Sequence, residues 1–423
     1  MYSTNPFNLN DSLFTADYWL EKATDPERLI APEAAIVSFN QEIIRRQPRF
    51  MKDLTNYPKL IPKAKLTTML KAKITELNPG YYHNHRQLTP NYLNTVKNNL
   101  NLNNIPDFSV PKYGVTIFRT DLRTFPTNDS VYCTPTDCSF DLWQETAINP
   151  TEPVIVLHSS SDSEWYFIQT YNYSGWVVKC NIALLNCYND WLQYVNEPNI
   201  LVVTGKQLHI PLPTNGHELI FEMGARLFPA IKDHRRSNSA LIKLPIKKEN
   251  NTVEEVILTI NSPQNVHFGY LPYNLTNLLR QAFKMLDQPY GWGGQDAKID
   301  CSAFISNIFA TFGFRLPRNA NQQAQSAGIT IPFTNLNPQE RRQLIARLSP
   351  GALLYLKGHV MLFLGEDQGS FYVIHALSSY GLKNGNKVEP VPLFRVTITD
   401  LDLLRPDGKS LLESLTVAKV LTL

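Results

Sequence analysis

The chain has 423 residues, a formal net charge of +3, 43% hydrophobic residues and 18% charged ones. That length exceeds one ordinary core and points to roughly two to four domains of a folded protein. Few lysine or arginine runs occur, so the electrostatic footprint of a nucleic-acid binder is missing, and no apolar stretch reaches the roughly 18 residues that span a bilayer.

The opening "MYSTNPFNLNDSLF" lacks the basic region and apolar block of a signal peptide. Two compartments follow as expectations: periplasmic or extracellular if the chain is a mature form, cytoplasmic if its start is native. Residues 1–105 read as a helical region, an arm or cap, with "APEAAIVSFNQEIIRR" placing proline near a helix start and apolar residues at helical spacing. Within it the string "HNH" at 83–85 has no nuclease-like metal cradle around it. From 106 to 190, short runs such as "EPVIVLHSS", "EWYFIQTY" and "GWVVKCNIAL" between turn residues predict a small all-β barrel. Residues 191–260, with "NILVVTG", "ALIKLPI" and "EEVILTI", predict a second. Residues 261–423 change to helix, glycine turn, helix and strands. The expected fold class is α+β, two small barrels and a helical region preceding a last, mixed domain.

Cys133, Cys138, Cys180 and Cys187 form two closely spaced pairs. Two disulfides or four reduced thiols both fit, since spacing alone does not show that a pair reaches bonding geometry. Neither pair has zinc-knuckle spacing with a neighbouring histidine.

The fifth cysteine, Cys301, stands in "KIDCSAFISNIFATFGFRLPRNANQQA". Phe304, Ile305, Ile308, Phe309 and Phe312 recur on one helical face, and Gly313 and Pro317 stop the run, so Cys301 falls in the first turn. A helix amino terminus favours negative charge, which predicts a thiol that ionises readily. Taken alone, a single cysteine is most often a buried apolar filler. Downstream, "HVMLFL" and "SFYVIH" flank the loop "GEDQG" as a hairpin. Pairing Leu364 with Ser370 across that loop sets His359 directly opposite His375, side chains on one face. Two imidazoles side by side suit a base and its orienter, so His359 is read as the base for Cys301 and His375 as the group fixing its tautomer. A two-histidine metal site would lack a third ligand. Upstream, "PYGWGG" is a sharp turn whose glycines allow close backbone approach, and Tyr290 within it is a candidate oxyanion donor beside the Cys301 amide.

"YGWGG", "DCSAF", "FGFRLPR", "GHVMLFLG" and "VIHAL", in this order and spacing, resemble the NlpC-type cell-wall cysteine peptidases, a papain-like fold with a Cys-His-His constellation. "FPTNDSVY" and "FDLWQETAINPTEPVIVLHSSSDSEWYFIQTYNYSGWV" resemble the first bacterial SH3-like domain of multi-domain members, and "ADYWLEKATDPERLIAPEAAIVSFN" their amino-terminal helical domain. The resemblance implies a γ-D-glutamyl-L-diamino-acid endopeptidase acting on peptidoglycan stem peptides before meso-diaminopimelate or lysine, without a cofactor or metal and without nucleic acid as partner. It implies that the first SH3-like domain walls the substrate cleft and that a free L-alanine amine is preferred. Asp300, Ser302 and Tyr290 would line the alanine subsite, and Glu145 is the nominee for a further acid there. Two departures stand out. Ala303 replaces the usual glycine after "DCS", and Ala320 replaces a serine after "LPRN", removing a hydroxyl from the substrate subsite. An amidase or acyltransferase on the same fold, or a wall-binding protein with an inactive peptidase domain, are the alternatives, and a monomer is expected.

Overall fold

Two apolar clusters divide the N-terminal helices between them. The computed structural model describes residues 7, 9–212, 218–230, 240–247, 253–260 and 262–422. Helix α1 (Glu33–Arg46) buries Ile36, Phe39 and Ile43 at three- and four-residue spacing. These side chains join Leu13 and Trp19 in one core with Phe304, Phe309 and Leu362 of the C-terminal domain. Helices α2 (Lys63–Lys71) and α3 (Pro90–Asn99) instead turn Leu66, Leu70, Leu93 and Val96 onto Phe125, Trp143 and Trp176 of the first β unit. Residues within 1–105 therefore pack into two separate apolar clusters. The "HNH" string is a hairpin turn: Asn84 and His85 take positive φ, while His83 and His85 bond the Ser130 and Pro135 carbonyl oxygens.

The first β unit contains β1 (Lys112–Thr116), β2 (Thr120–Arg123), β3 (Gln144–Ile148), β4 (Pro153–Ser159), β5 (Trp165–Gln169), β6 (Ser174–Val178) and β7 (Ile182–Leu184), in the order β7-β1-β4-β5-β6-β2-β3. Cys133, Cys138, Cys180 and Cys187 are exposed free thiols, the unbonded one of the two alternatives. The second unit pairs β8 (Leu201–Val203), β9 (Arg226–Pro229), β10 (Ala240–Lys247), β11 (Val253–Ile260) and β12 (Val266–Phe268) in the order β11-β10-β9-β8-β12. Its last strand lies beyond the expected boundary at 260. That strand is three residues long, and alternation cannot announce so short a run.

In the C-terminal domain, helix α4 (Leu275–Lys284) and helix α5 (Cys301–Ala310) pack on an antiparallel sheet. The sheet consists of β13 (Ile329–Pro332), β14 (Leu353–Leu356), β15 (His359–Asp367), β16 (Ser370–Asn384), β17 (Lys387–Asp400) and β18 (Leu415–Val420), ordered β13-β18-β14-β15-β16-β17. Phe304, Ile305, Ile308, Phe309 and Phe312 are all buried in its core, the face their spacing predicts. The β15–β16 register differs from the expectation. Asp367 pairs with Ser370 in a two-residue turn, and a bulge between Phe363 and Gly365 precedes Leu362 against Ile374. Both strands run further into the loop than its glycines suggest. On that register His359 and His375 are diagonal neighbours, two residues out of line but still on one face, within reach of each other's rings. Among the described residues, no helix is long and apolar enough to cross a membrane.

Candidate active site

Cys301 is the first residue of α5 and is 7% exposed. Its Sγ lies 3.9 Å from the Gly358 carbonyl oxygen, and the Val360 amide also reaches it. The thiol thus rests on the strand start that carries His359. The His359 Nε2 atom is 2.7 Å from His375 Nδ1, and His375 Nε2 is 3.1 Å from Thr399 Oγ1. One tautomer pattern suits both contacts with Thr399 accepting: His375 carries its proton on Nε2 and donates it to Thr399, and its bare Nδ1 accepts from His359 Nε2–H. This assignment leaves His359 Nδ1 unprotonated, the state a base requires. The sheet therefore brings together the residues that the sequence singled out as Cys301, His359 and His375. Thr399, from the next strand, completes the row; sequence reasoning missed it because nothing local links it to a residue 24 positions earlier.

Asp300 caps α5, accepting from the Ala303 amide at 2.9 Å. Its two oxygens also accept from Gly293 N, Ser302 Oγ and both Nη atoms of Arg318. Arg318 additionally donates to Ser302 Oγ at 2.8 Å and, through Nε, to Thr146 Oγ1 at 2.5 Å. The resemblance gave Asp300 and Ser302 to an alanine amine; in the structure both are engaged inside the protein. A buried carboxylate demands a cation, and that requirement could have singled out Arg318 in "LPR". Tyr290 is buried beside Phe140 and Phe394 and close enough to Cys301 to feel its charge. Tyr355 does the same from β14, and among the described residues its hydroxyl has no hydrogen-bond partner. Glu145 lies further out, bonded to Thr124, Tyr173 and Lys73.

The glycine turn before the nucleophile does what its composition predicts. Gly293 has φ +60°, and a β-carbon there would stand 2.7 Å from Gln144 Cγ. Gln144 Nε2 donates to the Gly293 carbonyl at 3.0 Å, so β3 of the first β unit is seated directly on the turn that binds Asp300.

The sequence profile of the NlpC/P60 family matches residues 287–390, a span that holds Tyr290, Cys301, Arg318, His359 and His375. The chain carries an NlpC/P60 domain. The profile of an SH3 domain of the SH3b1 type matches residues 131–178, within the first β unit. Among solved structures the chain is similar to an NlpC/P60 endopeptidase from Photobacterium damselae subsp. piscicida, with a TM-score of 0.77 at 21% identity over 95% of this chain and 96% of that one. It is also similar to an NlpC/P60 family protein from Bacillus cereus, with a TM-score of 0.46 at 17% identity over 66% of this chain and 83% of that one. Comparison with curated proteins gives no match. The fold class is α+β, with the NlpC/P60 match lying in the C-terminal domain and the SH3b1 match in the first β unit.

Electrostatics in the NlpC/P60 domain oppose a resting ion pair. Burial pushes the Cys301 thiol up to about 12, and the neighbouring Asp300 charge adds to the rise. The expectation of a readily ionised thiol at a helix start is therefore overturned: Asp300 already satisfies that helix end and brings negative charge to it. Burial, then the Arg405 guanidinium, lowers His359 to about 4. His375 falls well below its ordinary value through burial and then through His359. Both rings and the thiol are neutral at rest. For Asp300 burial works upward, but the Arg318 guanidinium and the other donors outweigh it and hold the carboxyl below its usual range.

Proposed function

We propose that the protein hydrolyses the γ-D-glutamyl-L-diamino-acid bond of peptidoglycan stem peptides, at the cell wall in the periplasm or outside the cell. The observation that carries this reading is the Cys301 thiol lying on the backbone that bears His359, with His359, His375 and Thr399 hydrogen-bonded in a row. Since thiol and imidazole are both neutral, proton transfer accompanies attack. His359 Nδ1 takes the thiol proton as Sγ bonds to the amide carbon, and the Tyr290 hydroxyl and Cys301 amide receive the oxyanion. The leaving amine takes the proton from His359. A water then loses its proton to His359 as its oxygen bonds to the acyl carbon, and His359 returns that proton to Sγ as the thioester C–S bond breaks, restoring the thiol. His375 holds the ring and disperses the transient positive charge toward Thr399.

Two results follow. Replacing His359 by alanine should lower kcat by about 1000-fold or more, and His375→Ala by about 10–100-fold, since the second ring orients rather than transfers. Equal losses would contradict the assigned roles. The base works only while unprotonated, so kcat/KM should hold as pH is lowered and fall through about 4, the His359 value. An acid limb near the ordinary histidine range of about 6.5 would show that His359 is not the buried neutral base. Incubating the stem tripeptide L-Ala-γ-D-Glu-meso-diaminopimelate, with its amine free or acylated, and following release of diaminopimelate tests the bond.

A further inference from the structure

We propose that the cavity between the N-terminal helices and the first β unit receives an acylated amino terminus of the stem peptide, with the amino sugar that acylates it, and that Lys73 excludes a free amine. This rests on the stem-peptide reading above. The cavity measures about 380 Å³, the scale of a small-molecule site, and its lining includes Arg49, Lys73, Glu145, Tyr173, Asn319 and Gln322. Two of its walls adjoin the network around the nucleophile. Glu145 precedes Thr146, which accepts from Arg318, and Asn319 follows Arg318, which holds Asp300.

Glu145 is the one carboxylate among the described lining residues, and it is already satisfied. Its Oε1 accepts from Thr124 Oγ1 at 2.6 Å and Lys73 Nζ at 2.8 Å, and its Oε2 accepts from the Tyr173 hydroxyl. An arriving ammonium would have to displace a tethered one from the same oxygens, and then stand beside it. Arg49, Lys73 and the carboxamides of Asn319 and Gln322 instead offer donors. Such a lining suits the carbonyl of an acyl link and the oxygens of a sugar, and repels a cation. Lys73 lies in the turn two residues past α2, so the N-terminal region helps set specificity for a site built by two other parts of the chain.

The test compares kcat/KM for L-Ala-γ-D-Glu-meso-diaminopimelate with its N-acetyl and N-acetylmuramoyl forms. Wild type should prefer the acylated forms by about tenfold or more. Lys73→Met should collapse that ratio and Lys73→Arg should keep it. A ratio near one in wild type, or a ratio that Lys73→Met leaves unmoved, overturns the proposal. Preference for the muramoyl over the acetyl form places the sugar in the cavity, and equality removes it from there. Cleavage of none of the three by folded wild type would sink the bond assignment instead. The amine proposal is then decided by calorimetric binding of L-Ala-γ-D-Glu and its N-acetyl form to Cys301→Ala: tighter binding of the acetyl form supports it, and equal or reversed affinity overturns it.

Discussion

Replacing Cys301 by alanine is expected to lower turnover by at least about 1000-fold while leaving substrate affinity close to that of the wild type. The side chain is 7% exposed and small, so its removal deletes the nucleophile and little contact area. The Asp300 cap and its Arg318 contacts do not involve the sulfur, and the α5 start should persist. Single-turnover kinetics together with calorimetric binding to the variant separates the two effects. Residual turnover within tenfold of wild type would remove Cys301 from the chemistry, and a matched loss of binding would make it a packing residue.

The second large effect concerns stability. Arg318→Met should destabilise the catalytic domain by about 3–5 kcal/mol, because it leaves Asp300 buried without its countercharge. The pair is almost wholly out of solvent, with each side chain 8% exposed. Arg318→Gln combined with Asp300→Asn should cost less than Arg318→Met alone, since no unpaired charge remains. Denaturant unfolding of wild type and the two variants measures this, and a midpoint for Arg318→Met equal to that of wild type would contradict it. The pH dependence has a definite sign. Asp300 is held below its ordinary range in the fold, so its contribution is in place above about pH 4 and is lost as pH falls through the depressed folded value.

Much of the catalytic row was legible because each member leaves a local trace. The α5 helix shows its apolar period from Phe304 to Phe312, and two histidines at the ends of strand-like runs invite a common face. The hairpin register differs from the expected one by two residues at the histidines because glycines at both ends of "GEDQG" suggest a wider loop; a diagonal pairing preserves the same conclusion. The thiol's ionisation was misjudged for a different reason. Sequence places a cysteine at a helix start, but not the neighbouring carboxylate's saturation or the depth of burial, and these decide the sign. Arg318, Thr399 and Tyr355 reach the site from other segments, and Lys73 reaches Glu145 from a turn 72 positions away in chain order. Such long-range juxtapositions leave no periodic signal.

The central claim is that Cys301 drives cleavage between D-glutamate and the following diamino acid. Mass spectrometry of muropeptides after incubation with wild type and with Cys301→Ala tests it most directly. The account predicts that wild type alone converts a muramoyl tripeptide into a muramoyl dipeptide and free diamino acid. Release of an intact tripeptide from the sugar, or the same products with Cys301→Ala, would contradict it.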